Sequence, residues 1–442
     1  MQRFHGNLLK NRVGTSTDAR GKSMIVALSG GVDSAVSAWL LQQAGYRVKG
    51  VFMRSWGTGD DAEDCTYRDD RLAARRVADF LRLDEFQEID LRAEYWHSVF
   101  VPHLLEAYRR GLTPNPDLAC NRYIKFGALL DVVAKRADIL ATGHYARCTG
   151  GQLYRALDRA KDQTYFLASI DPSALRKLHF PLGDWQKHEV RALARHLRLP
   201  NATRASSRGI CFIGRHKSIA SILDEFAPPG DFWPAVDIDT GRTLGRVSSY
   251  RTIGQRAGIG GLPQAFYVCD KDPARGIISV CAGRSHPALS CWGYEVEAFD
   301  LWNAWMEHQH LKESAGWLHR SFSFQAWYRQ TPLSCLIRRL EADSLATSND
   351  RAQPRVRVAA MPPQRLLVLV PGRSASAPVT APGQAVVIYD EDQCVGGGFV
   401  RRLIRNAAEI PHWTVAKELF STVPACKFSA NTDARSWASS ER

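Results

Sequence analysis

No uninterrupted apolar run in these 442 residues approaches the roughly 20 that a helix needs to cross a bilayer, so no membrane span is expected. Ten cysteines, at positions 65, 120, 148, 211, 269, 281, 291, 335, 394 and 426, include no C-x-x-C pair. That argues against a zinc ribbon, a thioredoxin-like motif or a dense disulfide framework, and a reducing compartment is the simpler setting. There is no internal repeat and no secretory hydrophobic region at the N-terminus. The one imitation of a Walker A loop, ending Gly21-Lys22-Ser23, fails on spacing: six residues rather than four separate Gly14 from Gly21, and no strand precedes it. Acidic residues are in deficit, 45 against 58 basic ones, which leaves a net charge of +13 and favours a polyanionic partner, nucleic acid foremost. A hydrophobic share of 45% excludes global disorder, and the length predicts two to three domains at about 150 residues each.

The first 23 residues hold Arg3, Lys10, Arg12, Arg20 and Lys22 against a single acid, Asp18, and read as a mitochondrial leader, with an ordinary basic extension of a cytoplasmic protein as the alternative. From Met24 an apolar run, a glycine turn and a helical pattern ending at Gly45 begin an alternation of strands and helices, through FQEIDL, a helix over Tyr95 to Tyr108, another after Ala119, and the strand ADILAT. Such alternation predicts an α/β fold with a doubly wound parallel sheet. Beyond about residue 205 the texture changes to Gly- and Pro-punctuated segments and then to short β-like runs, LLVLV and AVVIYD. The expected partition is a basic leader at 1–23, an ATP domain at 24–204, a small mixed domain at 205–291, a C-terminal β-barrel at 292–402 and a tail at 403–442.

Ser29-Gly30-Gly31-Val32-Asp33-Ser34 follows the first predicted strand and opens a helix, which makes an anion cradle of backbone N–H groups and hydroxyls at the positive helix end. A carboxylate at Asp33 repels phosphate unless it caps the helix or holds Mg²⁺. The alternative for any short glycine loop is a plain polar turn.

Four further segments narrow the choice: TPNPDLACNRYIKFG at 113–127, GHYAR at 143–147, LDRAKDQTYFL at 157–167 and SRGICFIG at 207–214. With TIGQRAG at 252–258 they resemble the tRNA-specific 2-thiouridylases, bacterial and mitochondrial, over about Met24 to Arg402. The resemblance implies a pyrophosphatase-loop domain that uses ATP, with Mg²⁺, to adenylate the C2 oxygen of the wobble uridine at tRNA position 34 and replace it by sulfur. By the same resemblance Cys211 carries a persulfide and Cys120 is its partner nucleophile. Asp117 is a general acid or base that contacts the base together with Asn115 and Pro116. Ala27, Leu28, Met53 and Gly143 join Ser29 to Ser34 at ATP, and His144, Lys161, Asp162, Gln163 and Gln384 face tRNA. The other eight cysteines are read as small buried hydrophobes. Taken alone, Cys120 follows a Pro/Asn/Asp-rich turn and fits a core role poorly, whereas Cys211, in ICFI, fits a buried strand.

Implied partners are tRNAs with a wobble uridine, such as those for Lys, Glu and Gln, and a persulfide or sulfide donor, with no membrane. An iron–sulfur cluster on Cys120, Cys211 and Asp117 is the alternative to persulfide chemistry, and no other metal site is assigned. The sequence departs from the family in reading Ser206-Ser207-Arg208-Gly209 where a carboxylate is usual, and Trp327-Tyr328 where an Arg-Tyr pair is. Competing functions are a different pyrophosphatase-loop enzyme acting on a small molecule and a non-catalytic RNA-binding relative.

Overall fold

The computed structural model describes residues 22–57, 67–135, 137, 139–205, 219–226, 232–340, 364–370, 377–411, 415, 416, 418 and 419. Cys211, the departure at 206–209 and all but the last two residues of the leader lie outside the described residues.

Ser23–Ala27 (β1) is apolar on both faces, as a central parallel strand must be, and it runs directly into the glycine turn and the 12-residue helix Val32–Gln43 (α1). Arg47–Arg54 (β2), the helix Tyr67–Phe80 (α2) and Phe86–Asp90 (β3) follow in order. The strand expected from ADILAT is only Leu140–Ala141 (β4). A hairpin of Arg147–Thr149 (β5) and Gln152–Tyr154 (β6) comes next, then Leu178–His179 (β7) and the helix Lys187–His196 (α3). The parallel sheet has the order β3-β2-β1-β4-β7. The strand order therefore reverses beside β1, and ligands of doubly wound sheets bind in the crevice at such a reversal.

The two faces of the sheet are covered differently. Val26, Leu28, Val36, Leu40 and Val77 pack α1 and α2 onto one face, with Val190 and Leu193 of α3. The other carries two long helical stretches, Arg92–Arg109 and Pro116–Val133, each widened in the middle into π-helix, at Trp96–Leu105 and Cys120–Ala128. Proline inside an α-helix loses a hydrogen bond and clashes with the preceding turn, and Pro102 falls within the first widened segment.

Residues 232–282 form a four-stranded sheet of mixed direction around Ala235, Val247, Val268, Ile278 and Val280. Six antiparallel strands then form a closed barrel: Gly293–Ala298, Phe322–Gln325, Leu333–Leu340, Arg365–Leu369, Ala385–Asp390 and Gln393–Ile404. Closure comes from the first strand pairing with both Arg365–Leu369 and Gln393–Ile404. The α/β class, the parallel sheet, the mixed sheet and the C-terminal barrel are those expected from the sequence.

The barrel is joined to the parallel-sheet domain by more than a linker. Leu153 and Tyr154 of β6 pair with Cys394 and Gln393, so the barrel's sheet continues into the hairpin. Ala385, Val387 and Tyr389 share a core with Leu118, Ile124 and Tyr165. Part of the tail is engaged as well, since Ala416 is buried against the barrel's outer face with Trp317, Leu336 and Ile404.

Candidate active site

The Ser29–Ser34 turn is held by its own hydroxyls. Ser34 Oγ accepts from Ser29 N at 3.2 Å and donates to Gly31 O at 3.0 Å, while Ser29 Oγ accepts from Gly31 N at 3.3 Å. Gly30 has φ +76°, and a Cβ there would lie 2.4 Å from the Asp70 carbonyl oxygen, so glycine is required on both counts. Its carbonyl accepts from Asn201 Nδ2 at 2.9 Å and Arg204 Nη1 at 3.2 Å. Gly31 caps α1 with no side-chain hydrogen bond, which leaves the positive helix end to an anion. Gly143, at the end of β4, comes so close that a Cβ would sit 2.7 Å from Ser34 N. Of the apolar positions assigned to ATP, Leu28 and Val32 are buried in the core, so they can offer only main chain, whereas Ala27 and Met53 are half-buried beside the turn's strand.

Asp33 is not a free carboxylate. Lys187 Nζ donates to both of its oxygens, at 2.5 and 2.6 Å, and Tyr145 Oη donates to Oδ1 at 3.0 Å. Burial, and then the Asp33 charge, push the Tyr145 phenol well up, so it stays a donor. Sequence reasoning singled out the GHYAR segment but missed Lys187, Asn201 and Arg204. Lys187 is one basic residue among 58, and nothing local links it to a residue 154 positions earlier.

Below the turn, Asn115 caps the helical turn Pro116–Ala119 by accepting from Asp117 N at 3.3 Å. Gln384 donates to Thr113 O at 2.9 Å and Pro114 O at 3.2 Å, and so ties this loop to the barrel. Burial pushes the Asp117 carboxyl up, against the pull of Lys125. Burial foremost, and then the Lys125 charge, hold His144 well below the usual histidine range, leaving it neutral at pH 7 with Nδ1 2.7 Å from Thr142 Oγ1. Asp117 and His144 therefore feel one cation, Lys125, and burial favours the uncharged form of each; only the Asp117 shift moves toward the neutral range that proton transfer uses.

Two expectations are corrected here. Cys120, expected outside the core, is only 5% exposed: Leu118, Ala119, Cys120 and Ile124 form the inward face of the helical stretch that follows the turn at once. The Asp162 side chain, expected to face tRNA, is turned inward. Its buried carboxylate accepts from Ala156 N at 3.0 Å, Arg155 Nε at 3.1 Å and Thr164 Oγ1 at 2.9 Å. Gln163 is half-buried and accepts from Tyr145 N at 2.9 Å. Lys161 is half-buried, and burial first, then Arg329 and Lys187, lower its pKa. Among the described residues the remaining cysteines are buried or half-buried, as expected.

No group of three His, Cys, Asp or Glu residues able to hold a metal occurs among the described residues. Cys120 and Asp117 lie one helical turn apart, Cys211 lies outside the described residues, and both oxygens of Asp33 are occupied by Lys187. Lys187 therefore takes up the contacts that a resident Mg²⁺ ion would need at Asp33.

A doubly wound sheet whose first strand ends in this Ser-Gly-Gly-Val-Asp-Ser turn, at the point where the strand order reverses, defines a pyrophosphatase-loop nucleotide-binding protein. The family model described as the tRNA methyl transferase HUP domain matches residues 22–215, and that of the aminomethyltransferase beta-barrel domain matches residues 373–400. The tRNA-specific 2-thiouridylase MnmA of Proteus mirabilis (strain HI4320) is 36% identical over 408 residues, covering 88% of this chain and 100% of that relative. Its namesake in Ralstonia nicotianae is 38% identical over 395 residues, 86% of this chain and 96% of the relative. That of Legionella pneumophila (strain Lens) is 38% identical over 397 residues, 86% and 99%. The chain belongs to the tRNA-specific 2-thiouridylase family.

Proposed function

We propose that the chain is an ATP-dependent tRNA-uridine 2-sulfurtransferase. The observation that carries this reading is the serine-glycine turn at the uncapped start of α1, with Gly143 packed against Ser34 N and the adjoining His144 feeling the same Lys125 charge as Asp117. A uracil C2 carbonyl is a poor electrophile without a leaving group. Attack of its oxygen on the α-phosphorus of ATP releases pyrophosphate and makes that oxygen part of AMP. The turn and the α1 N-terminus hold the departing phosphates, and the magnesium that accompanies ATP is taken as part of the nucleotide.

Sulfur, carried as a persulfide on Cys211, then adds at C2. As AMP leaves, the Cys120 thiolate takes the place of the outer sulfur on Cys211, giving a Cys120–Cys211 disulfide that an external thiol reduces. Asp117 takes or returns the proton at the base, and Asn115 and Pro116 shape its pocket. The wobble uridine, the tRNAs for Lys, Glu and Gln, and a persulfide or sulfide donor belong to this proposal, as does mitochondrial import by the basic leader. Incubating the purified protein with ATP, a wobble-uridine tRNA transcript, a persulfide donor and a reducing thiol, then digesting the RNA for mass spectrometry, should give 2-thiouridine at position 34. ATP consumption with no thiolated nucleoside would overturn the assignment.

A further inference from the structure

The Asp33–Lys187 pair puts a carboxylate, favoured there by the helix dipole, beside the turn read as the ATP site, where a polyphosphate would repel it. Asp33 is the acidic residue in the first turn of α1, at the helix end that has no side-chain cap. Lys187 reaches it from a second rigid element. It occupies the first position of α3, whose start is fixed by a reciprocal cap between Gln186 and Glu189 and by Lys187 N donating to Asp158 Oδ2 at 2.9 Å. The ammonium sits 5.5 Å from the centre of the Tyr145 ring, and the Tyr145 hydroxyl donates to the same carboxylate. Side-chain exposures of 15% for Lys187 and 32% for Asp33 put the pair at the rim of the turn, partly shielded from water.

We infer that Lys187 is a positioning residue of the phosphate turn: by holding the Asp33 carboxylate on both oxygens it cancels the negative charge at the helix start and so permits the turn to accept the polyphosphate of ATP. This rests on the reading of the turn as the ATP site. It goes beyond that reading in giving Lys187 a task that acts through Asp33 rather than through a direct bond to phosphate. An uncompensated carboxylate beside a triphosphate is a like-charge contact, whose cost rises in a partly desolvated site. A pair that merely stapled α3 to α1 would affect stability and leave nucleotide affinity alone.

The test is a charge cycle on the full chain: wild type, Lys187→Gln, Asp33→Asn and the double variant. ATP affinity is measured by titration calorimetry in EDTA, so that the metal accompanying the nucleotide does not enter, and a thermal melt is recorded for each. Lys187→Gln should weaken ATP binding by at least about tenfold, which is ~1.4 kcal/mol. Asp33→Asn should bind within about threefold of wild type or more tightly, and the double variant within about threefold of Asp33→Asn, because removing the carboxylate removes the need for its counter-ion. Wild-type affinity in Lys187→Gln overturns the inference alone. A double variant as weak as Lys187→Gln also overturns it, by making the lysine a direct phosphate ligand. If Lys187→Gln does not fold, the comparison of Asp33→Asn with the double variant, in which no charge is left unpaired, decides on the same threefold and tenfold limits. A wild-type protein that binds no ATP removes the reading of the turn and the inference with it.

Discussion

Replacing Asp162 with Asn should unfold the protein more easily without weakening its hold on tRNA. The Asp162 side chain is 4% exposed and Arg155 only 13%. One oxygen accepts from Ala156 N and the other from Arg155 Nε and Thr164 Oγ1, so every direction around the carboxylate is occupied by a donor. An amide keeps one acceptor and turns its NH₂ toward one of those donors. Breaking a buried ion pair from one side costs about 3–5 kcal/mol. Arg155 has some relief, lying 5.2 Å from the centre of the Tyr389 ring, so the lower part of that range, about 3 kcal/mol, is expected. Urea unfolding followed by tryptophan fluorescence measures it, and tRNA affinity at two salt concentrations should stay within about twofold of wild type under conditions where both proteins are folded. Unchanged urea stability together with tenfold weaker tRNA binding would refute the structural role and restore Asp162 to the RNA-facing surface.

Cys120→Ser and Cys211→Ser should each abolish thiolation, since a hydroxyl can neither carry nor resolve a sulfane sulfur. Cys120→Ser should also lose about 1–3 kcal/mol, because the new hydroxyl enters the core, so melting temperature must be read beside thiouridine yield; a folded variant with near wild-type yield defeats the assignment. Acid should destabilise the fold through His144. Its folded-state pKa lies well below the ordinary value near 6.5, so below pH 6.5 the unfolded chain binds the extra proton and stability falls with pH. His144→Gln should flatten that fall, and an unchanged pH profile would contradict the burial seen here. Residues 1–23 fused to a fluorescent reporter should direct it to mitochondria, and a wholly cytosolic signal would remove the leader proposal.

Local chemistry explains what could be seen in the sequence. Ser29 to Ser34 sits between an apolar strand and a helical period, and the strand, the turn and the whole helix occupy one continuous stretch of 21 residues, Ser23 to Gln43. The helical pattern over Tyr95 to Tyr108 was equally legible, but not its widening around Pro102, because a π-helical segment leaves the apolar pattern nearly intact. Asp162 illustrates the opposite case. Its motif context pointed to the RNA, yet its role is set by Arg155, Ala156 and Thr164, whose convergence depends on a turn whose shape the sequence does not state. The lysine on Asp33 was illegible for a simpler reason, since its partner arrives from another helix after the chain has crossed the sheet several times.

The continuation of the barrel into the β5–β6 hairpin bears on how this enzyme can be rebuilt by recombination. A domain tied on by a linker alone can be exchanged for a homologous one by matching the linker. Here the seam runs through a hydrogen-bonded ladder at Leu153 and Tyr154 and through side chains that belong half to each part, such as Tyr165 with Ala385 and Tyr389. A chimera that imports a foreign barrel must therefore import the hairpin register and the facing half of that core. Expressed without its barrel, the nucleotide-binding half would present an unpaired strand edge and a patch of exposed apolar surface, both of which favour aggregation over a soluble fragment.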